Sequence, residues 1–222
     1  MQRHGFTEHF SPEDLLLLRS AGRVRAWDRN EILMREGDSP DFLVLIIGGL
    51  AKATVDSANG YTSLLALRGP GELVGELSCI DGCPRSATVI AMRSLEGVVV
   101  ASDTFLQLLR DHAALSFSVL RSVVARLRDS DISRAEHGGR TSRALLARLL
   151  VNLALRHGTV AGTHPGAISV EVSQQELAAA AGVSRESVVR SMRAMHDEGL
   201  VATGRGRTVV LDLAGLRQWA ET

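Results

Sequence analysis

Glycine is placed in this chain so that it divides the sequence into parts of different character. Between Trp27 and Ser102, short apolar runs at 32–34, 42–47, 61–67, 87–92 and 95–100 are broken by Gly37, Gly48, Gly49, Gly60, Gly69, Gly71, Gly75 and Gly82. Short runs separated by turn residues predict the strands of an all-β sandwich or barrel-like roll, and Asn59-Gly60 is a strong hairpin turn. From residue 98 to residue 137 there is no glycine. Asp103 opens one helix there, and a longer one is predicted from Ala113 to Glu136.

Before the roll, Pro-Glu-Asp-Leu-Leu-Leu-Leu at 12–18 predicts a short helix with Ser11 as N-cap and Pro12 in its first turn. On the long helix, Val119, Val123, Leu127 and Ser130 recur at spacings of one turn, a narrow stripe suited to one partner helix, as in a dimer seam. Packing of the same stripe onto the chain's own roll is the alternative. Gly138-Gly139 reads as a hinge. Beyond it, Thr141 to Arg156 is helical, and 168–172 alternates like a strand. The chain as a whole is α+β, with parts expected at 1–111, 112–138 and 139–222.

Residues 173–199 carry a second set of local signals. Ser173 and Glu176 form a capping box. Ala178 is small enough for two helices to cross closely, Gly182 permits a left-handed turn, and Ser184 caps a second helix. Val183 and Val188 would pack between the two. This is a helix-turn-helix layout. Arg185, Glu186 and Arg190 bracket one face of the second helix. In a major groove, an arginine donates twice to guanine O6/N7 and a glutamate accepts from the cytosine amine. Gly199 to Leu211 reads as a β-hairpin whose Arg205 and Arg207 could touch phosphates.

Within the roll, residues 74–87 read Val-Gly-Glu-Leu-Ser-Cys-Ile-Asp-Gly-Cys-Pro-Arg-Ser-Ala. Glu76 offers a carboxylate to a sugar hydroxyl. Arg85 and Ser86 offer a cation and a hydroxyl to a phosphate, with backbone N–H groups near Gly75 and Ala87. An internal Glu76–Arg85 ion pair is the plainer reading of the same residues. The stretch looks like the phosphate-binding cassette of cyclic-nucleotide-binding domains.

Together, the cassette, the turns at Glu36-Gly37-Asp38, Asp41 and Gly49, and Ser-Arg-Glu-Ser-Val-Val-Arg at 184–190 resemble the catabolite-activator and FNR-like family of bacterial transcription regulators, most closely its cyclic-AMP branch. The resemblance runs from residue 10 to residue 213. It implies an N-terminal cyclic-nucleotide-binding β-roll, a dimerisation helix and a C-terminal winged helix, with cyclic AMP as allosteric ligand. Gly75, Glu76, Arg85, Ser86 and Ala87 would hold ribose and phosphate. Ser130 and Asp131, one from each subunit, would meet the base, where the family commonly has Thr followed by Ser or Asn. The Asp131 carboxylate suits the adenine amine and equally guanine N1–H and N2–H₂, so cyclic GMP, another small molecule or a vestigial pocket remain alternatives. The resemblance further implies a homodimer on a palindrome with TGTGA-like half-sites, and RNA polymerase as a partner. Arg185 and Arg190 would read guanine and Glu186 cytosine. Ser173, Gln175, Ser184, Ser187 and Arg207 would contact phosphates.

Composition bounds the remaining possibilities. Formal net charge is zero, yet residues 1–138 hold 15 basic and 18 acidic side chains while 139–222 hold 10 and 7, so −3 is followed by +3. A mildly basic C-terminal part accords with nucleic-acid binding. No run of 18 apolar residues or secretion signal is present, which predicts a cytoplasmic protein away from membranes. Cys79 and Cys83 are the only cysteines, and the seven histidines form no ligand spacing, so no metal is expected. No nucleophile–base pair stands out, and an enzyme is not expected.

Overall fold

The computed structural model describes residues 9–56, 62–137, 141–162, 166–204 and 206–221, with backbone alone for 132–137. The predicted turn at Asn59-Gly60, the hinge at Gly138-Gly139 and Arg205 lie outside the described residues. The chain forms two compact units, which divide after Arg128.

The first unit begins with α1 (Pro12–Ser20), started by the predicted cap: Ser11 Oγ accepts from the Asp14 N–H, and the Asp14 carboxylate accepts from the Ser11 N–H. Eight strands follow: β1 (Arg23–Trp27), β2 (Ile32–Met34), β3 (Phe42–Gly48), β4 (Ala51–Asp56), β5 (Thr62–Arg68), β6 (Leu73–Val74), β7 (Thr88–Ala91) and β8 (Leu95–Ala101). A short helix, α2 (Glu76–Asp81), interrupts them after β6. The strands form two antiparallel sheets of four, ordered β1-β8-β3-β6 and β2-β7-β4-β5.

β3 explains how one roll carries two cores. Strand side chains alternate between faces. Val44 and Ile46 point to the core shared with Trp27, Leu33, Met34, Val89 and Leu95. Leu43 and Leu45 point the other way, to Val98, Val100, Phe105, Leu115 and Leu18. A strand buried on both faces reads as an unbroken apolar run, and Phe-Leu-Val-Leu-Ile-Ile is one.

Two helices close the second core, α3 (Ser102–Asp111) and the long α4 (Ala113–His137). On α4, Leu115, Ser118, Val119 and Ser122 are buried. Ser118 Oγ donates to the Asp14 carboxylate at 2.8 Å. This corrects the stripe expected from the sequence. Val119 is core, only 4% exposed, whereas Phe117, Leu120, Val124 and Leu127 form the exposed apolar stripe at spacings of three, four and three. Serines at 118 and 122 bring the helix close to its own roll, so the bulkier neighbours are left outside.

The second unit contains the last part of α4, then α5 (Ser142–His157), β9 (Thr159–Val160), β10 (Ile168–Val170), α6 (Gln174–Ala181), α7 (Arg185–Asp197), β11 (Val201–Gly204), β12 (Arg207–Val210) and α8 (Leu213–Glu221). Its sheet runs β11-β12-β10-β9, all antiparallel. α8 is not predicted by the sequence reading. Asp212 starts it by accepting from the N–H groups of Ala214 and Gly215, and Leu216 buries completely. Among the described residues, no helix is long and apolar enough to cross a membrane.

Leu115→Ala should lower the free energy of unfolding by about 2–5 kcal/mol, the usual cost of a core cavity. Leu65→Ala, at a side chain 58% exposed, should change it by less than about 0.5 kcal/mol. Denaturant titration of both variants measures the difference.

Candidate functional site

The cassette is built around two left-handed glycines. Gly75 (φ +84) and Gly82 (φ +71) bound α2 and hold it to six residues. Gly75 is also a close approach: a Cβ there would lie 2.7 Å from Arg85 Nη1 and 2.9 Å from Met34 Cε. Arg85 is 3% exposed. Its Nη1 donates to the Gly75 carbonyl at 2.8 Å, its Nη2 donates to the Phe42 carbonyl, and its guanidinium lies over the Phe42 ring. The Arg85 N–H donates to the Asp38 carbonyl, and its own carbonyl accepts from the Gly37 N–H. Roll and cassette therefore fix this arginine at both backbone and side chain. Ser86 beside it is exposed and Ala87 half-buried.

Glu76, the first residue of α2, is 1% exposed. Its partner is not Arg85. Arg126 of α4 brings Nη2 to 2.7 Å from Glu76 Oε1, and the same nitrogen donates to Ser122 Oγ at 3.4 Å. The charge of Glu76 is thus balanced by an ion pair to the long helix. Among the described residues four buried side-chain atoms lack a hydrogen-bond partner, Trp27 Nε1, Glu171 Oε2 and, in the cassette, Glu76 Oε1 and Arg85 Nε. Each such group costs about 1–3 kcal/mol unless something satisfies it. Of the two in the cassette, one is an acceptor and the other a cationic donor, the pair of functions that a sugar hydroxyl and a phosphate require, so the residues fit a cyclic nucleotide.

Arg126 is the residue that the sequence reading missed. It lies off the apolar stripe of the long helix, and no local spacing links it to Glu76. Ser130 is half-buried and Asp131 exposed, one turn and more beyond it on α4. Among the described residues, no cluster of three or more His, Cys, Asp or Glu could hold a metal ion. Cys79 and Cys83 are free thiols, one buried and one exposed.

In the second unit the predicted local signals fall together. Ser173 Oγ accepts from the Glu176 N–H at 3.2 Å, and the Glu176 carboxylate accepts from both the N–H and the hydroxyl of Ser173. Gly182 takes the left-handed turn at φ +62, and Ala178 is buried beside it. Ser184 caps α7 by accepting from the Ser187 N–H. Val188, Ser191, Met192 and Met195 bury one face of α7. Arg185, Glu186 and Arg190 stand exposed on the other; Gln175 and Arg207 are exposed as well, and Ser187 is half-buried.

The Glu186 carboxyl lies below its ordinary value of 4.5, held there first by its hydrogen bond to its own backbone N–H, then by Ser184 and by the charges of Arg190 and Arg185. It is an ionised acceptor at neutral pH. A cavity of about 250 Å³ lies between the start of α6 and the β11–β12 hairpin, lined by Ser173, Gln174, Gly204, Gly206, Arg207 and Thr208 among others.

Residues 24–112 match the family model of a cyclic nucleotide-binding domain, and residues 146–219 that of a Crp-like helix-turn-helix domain. The chain is 30% identical over 210 residues to the cyclic AMP receptor protein of Thermus thermophilus, covering 95% of this chain and 94% of that one. It resembles the solved structure of a CRP-family transcriptional regulator from the same organism with a TM-score of 0.75 and 27% identity, over 89% of this chain and 97% of the other. The c-di-GMP responsive global regulator CLP of Xanthomonas campestris shares the fold, with a TM-score of 0.75 and 22% identity over 90% and 99% of the two chains. Two of these relatives are named as regulators and one as a cyclic AMP receptor. A nucleotide-binding roll and a helix-turn-helix domain in one chain, aligned over nearly its whole length with such a relative, make this protein a member of the CRP family of DNA-binding transcription regulators.

Proposed function

We propose that this regulator is a homodimer switched by cyclic AMP, which controls its binding to a two-fold palindrome with TGTGA-like half-sites. The observation that carries the reading is the pair of unsatisfied atoms on Glu76 and Arg85, set beside Arg126. A ribose hydroxyl donating to Glu76 and a phosphate oxygen accepting from Arg85 Nε, with Ser86 as a further donor, would satisfy both. Because Arg126 belongs to α4, a ligand at Glu76 acts on the long helix as well as on the roll. Ser130 and Asp131 follow on that helix and would meet the base. The cyclic AMP receptor among the relatives supports adenine. The Asp131 carboxylate supports guanine equally, which makes cyclic GMP the second reading.

The exposed stripe Phe117, Leu120, Val124 and Leu127 supports a helix-to-helix dimer seam. Two-fold symmetry would then place two α7 helices in major grooves about 34 Å apart. Arg185 and Arg190 would read guanine, and Glu186 the cytosine amine. Gln175, Ser184, Ser187 and Arg207 would reach phosphates, with Ser173 holding the start of α6 beside them. RNA polymerase is the further partner that such a factor would engage, from the cytoplasm.

Calorimetry should show cyclic AMP bound more tightly than cyclic GMP, with Ser86→Ala weakening it about tenfold or more, as loss of a hydrogen bond to a charged group does. Ser86 is exposed, so the fold is untouched. Equal binding of cyclic AMP by wild type and variant would reject the cassette assignment.

Sedimentation should show a dimer that Leu120→Asp converts to a monomer; a Leu120→Asp dimer would overturn the seam. Arg185→Ala should cost about 1–3 kcal/mol in DNA affinity and relax one base position, whereas an equal loss on random DNA would contradict base reading. By carboxyl NMR, Glu186 should titrate below 4.5 and move upward in Arg190→Ala. The sign follows from the shift: the ionised acceptor persists to lower pH than an ordinary glutamate would, and is lost as pH falls through the lowered value.

A further inference from the structure

α7 presents one apolar side chain where charge would be expected. Its exposed residues are Arg185, Glu186, Val189, Arg190, Arg193, His196 and Asp197. Val189 sits in the middle of the set, 46% exposed. It follows Arg185 by four residues and Glu186 by three, precedes Arg193 by four, and adjoins Arg190. Residues three and four apart share a helix face, and Arg190 flanks it on the next face round. Burial does not account for it, because the inward face of α7 is already complete with Val188, Ser191, Met192 and Met195. Helix propensity does not either, since a β-branched residue is a poor choice for an exposed helix position.

We infer that Val189 reads the 5-methyl group of a thymine. The inference rests on α7 being the helix that enters the major groove. On the groove floor the base edges present hydrogen-bond donors and acceptors, the small C5–H of cytosine and, on thymine alone, a methyl group. Valine has neither donor nor acceptor, so against a donor or acceptor edge it would leave a polar group dry and unpaired, and against a cytosine C5–H it would find no methyl to bury. Against a thymine it buries methyl on methyl. Arg185, Glu186 and Arg190 surround it, so the contacted thymine belongs within the same half-site that they read. Val189 therefore adds a selection that the charged residues cannot make: thymine against cytosine, whose C5 carries only hydrogen.

The test uses the full chain and the duplex that it selects from random-sequence DNA. Each thymine of that duplex is replaced, symmetrically in both half-sites, by deoxyuridine, which differs only by the methyl group. Wild type should lose about fourfold in affinity per half-site at one position, the value of one buried methyl group. 5-Methylcytosine placed there should bind better than cytosine. Val189→Ser should abolish the methyl dependence at that position and leave every other position unchanged, with its thermal midpoint equal to wild type. Equal affinity for thymine and deoxyuridine throughout would overturn the inference while leaving α7 as the reading helix. So would a methyl dependence that survives in Val189→Ser. Selection of no duplex at all would overturn the reading of α7 and this inference with it.

Discussion

Burying the Glu76 carboxylate requires a cation beside it, and α4 supplies that cation. A buried charge left without a partner costs about 3–5 kcal/mol, so the 2.7 Å contact with Arg126 is a condition for α2 to pack as it does. The contact also sets what the roll is fastened to. Its nucleotide cassette is joined through a charge to the helix that carries the exposed apolar stripe, and that helix continues to His137. Leu115, Val119 and Ser118 also fasten this helix to the roll, but Arg126 is the contact it makes with the cassette itself.

The rest of the roll serves to hold this corner. β3 packs on both faces and so joins the inter-sheet core to the core beneath α3 and α4. Its first residue, Phe42, accepts from Arg85 through its carbonyl and lies under the guanidinium with its ring. Gly75 leaves room for the same guanidinium. The arginine is therefore oriented by backbone groups that cannot swing away. Its Nε is left as a donor with no partner among the described residues. A ligand can shift the protein between states only by the difference in its affinity for them. A cassette already held in place spends little of that binding energy on its own ordering.

Much of this was legible in the sequence because it is written in local chemistry. The cap at Ser11, the capping box Ser173–Glu176, the turn at Gly182 and the apolar run of β3 each declare themselves within a few residues. The parts that were not legible depend on distant partners. β1, Arg-Val-Arg-Ala-Trp, is mostly exposed and becomes a strand by pairing with β8. α2 is too short to show a period, and its ends are set by flanking glycines. In α8, Gly215 obscures a helix that Asp212 in fact caps; a Cβ there would lie 2.6 Å from Leu200 Cδ2. On α4 the periodicity was visible but its facing was not. Both candidate stripes have helical spacing, and only the roll decides that Ser118 and Ser122 turn inward. The partnership of Glu76 with Arg126 has no sequence signal at all.

The proposed coupling through Arg126 is measured most directly by the ligand-induced change in DNA affinity. Affinity for the selected duplex is taken with and without saturating cyclic AMP, in wild type, Glu76→Gln, Arg126→Gln and the double variant. If Arg126 carries the signal, cyclic AMP should tighten wild-type binding, and Arg126→Gln should lose that increment while keeping its ligand-free DNA affinity. The double variant should then be no worse than either single one. A ligand response in Arg126→Gln as large as that of wild type would contradict the account.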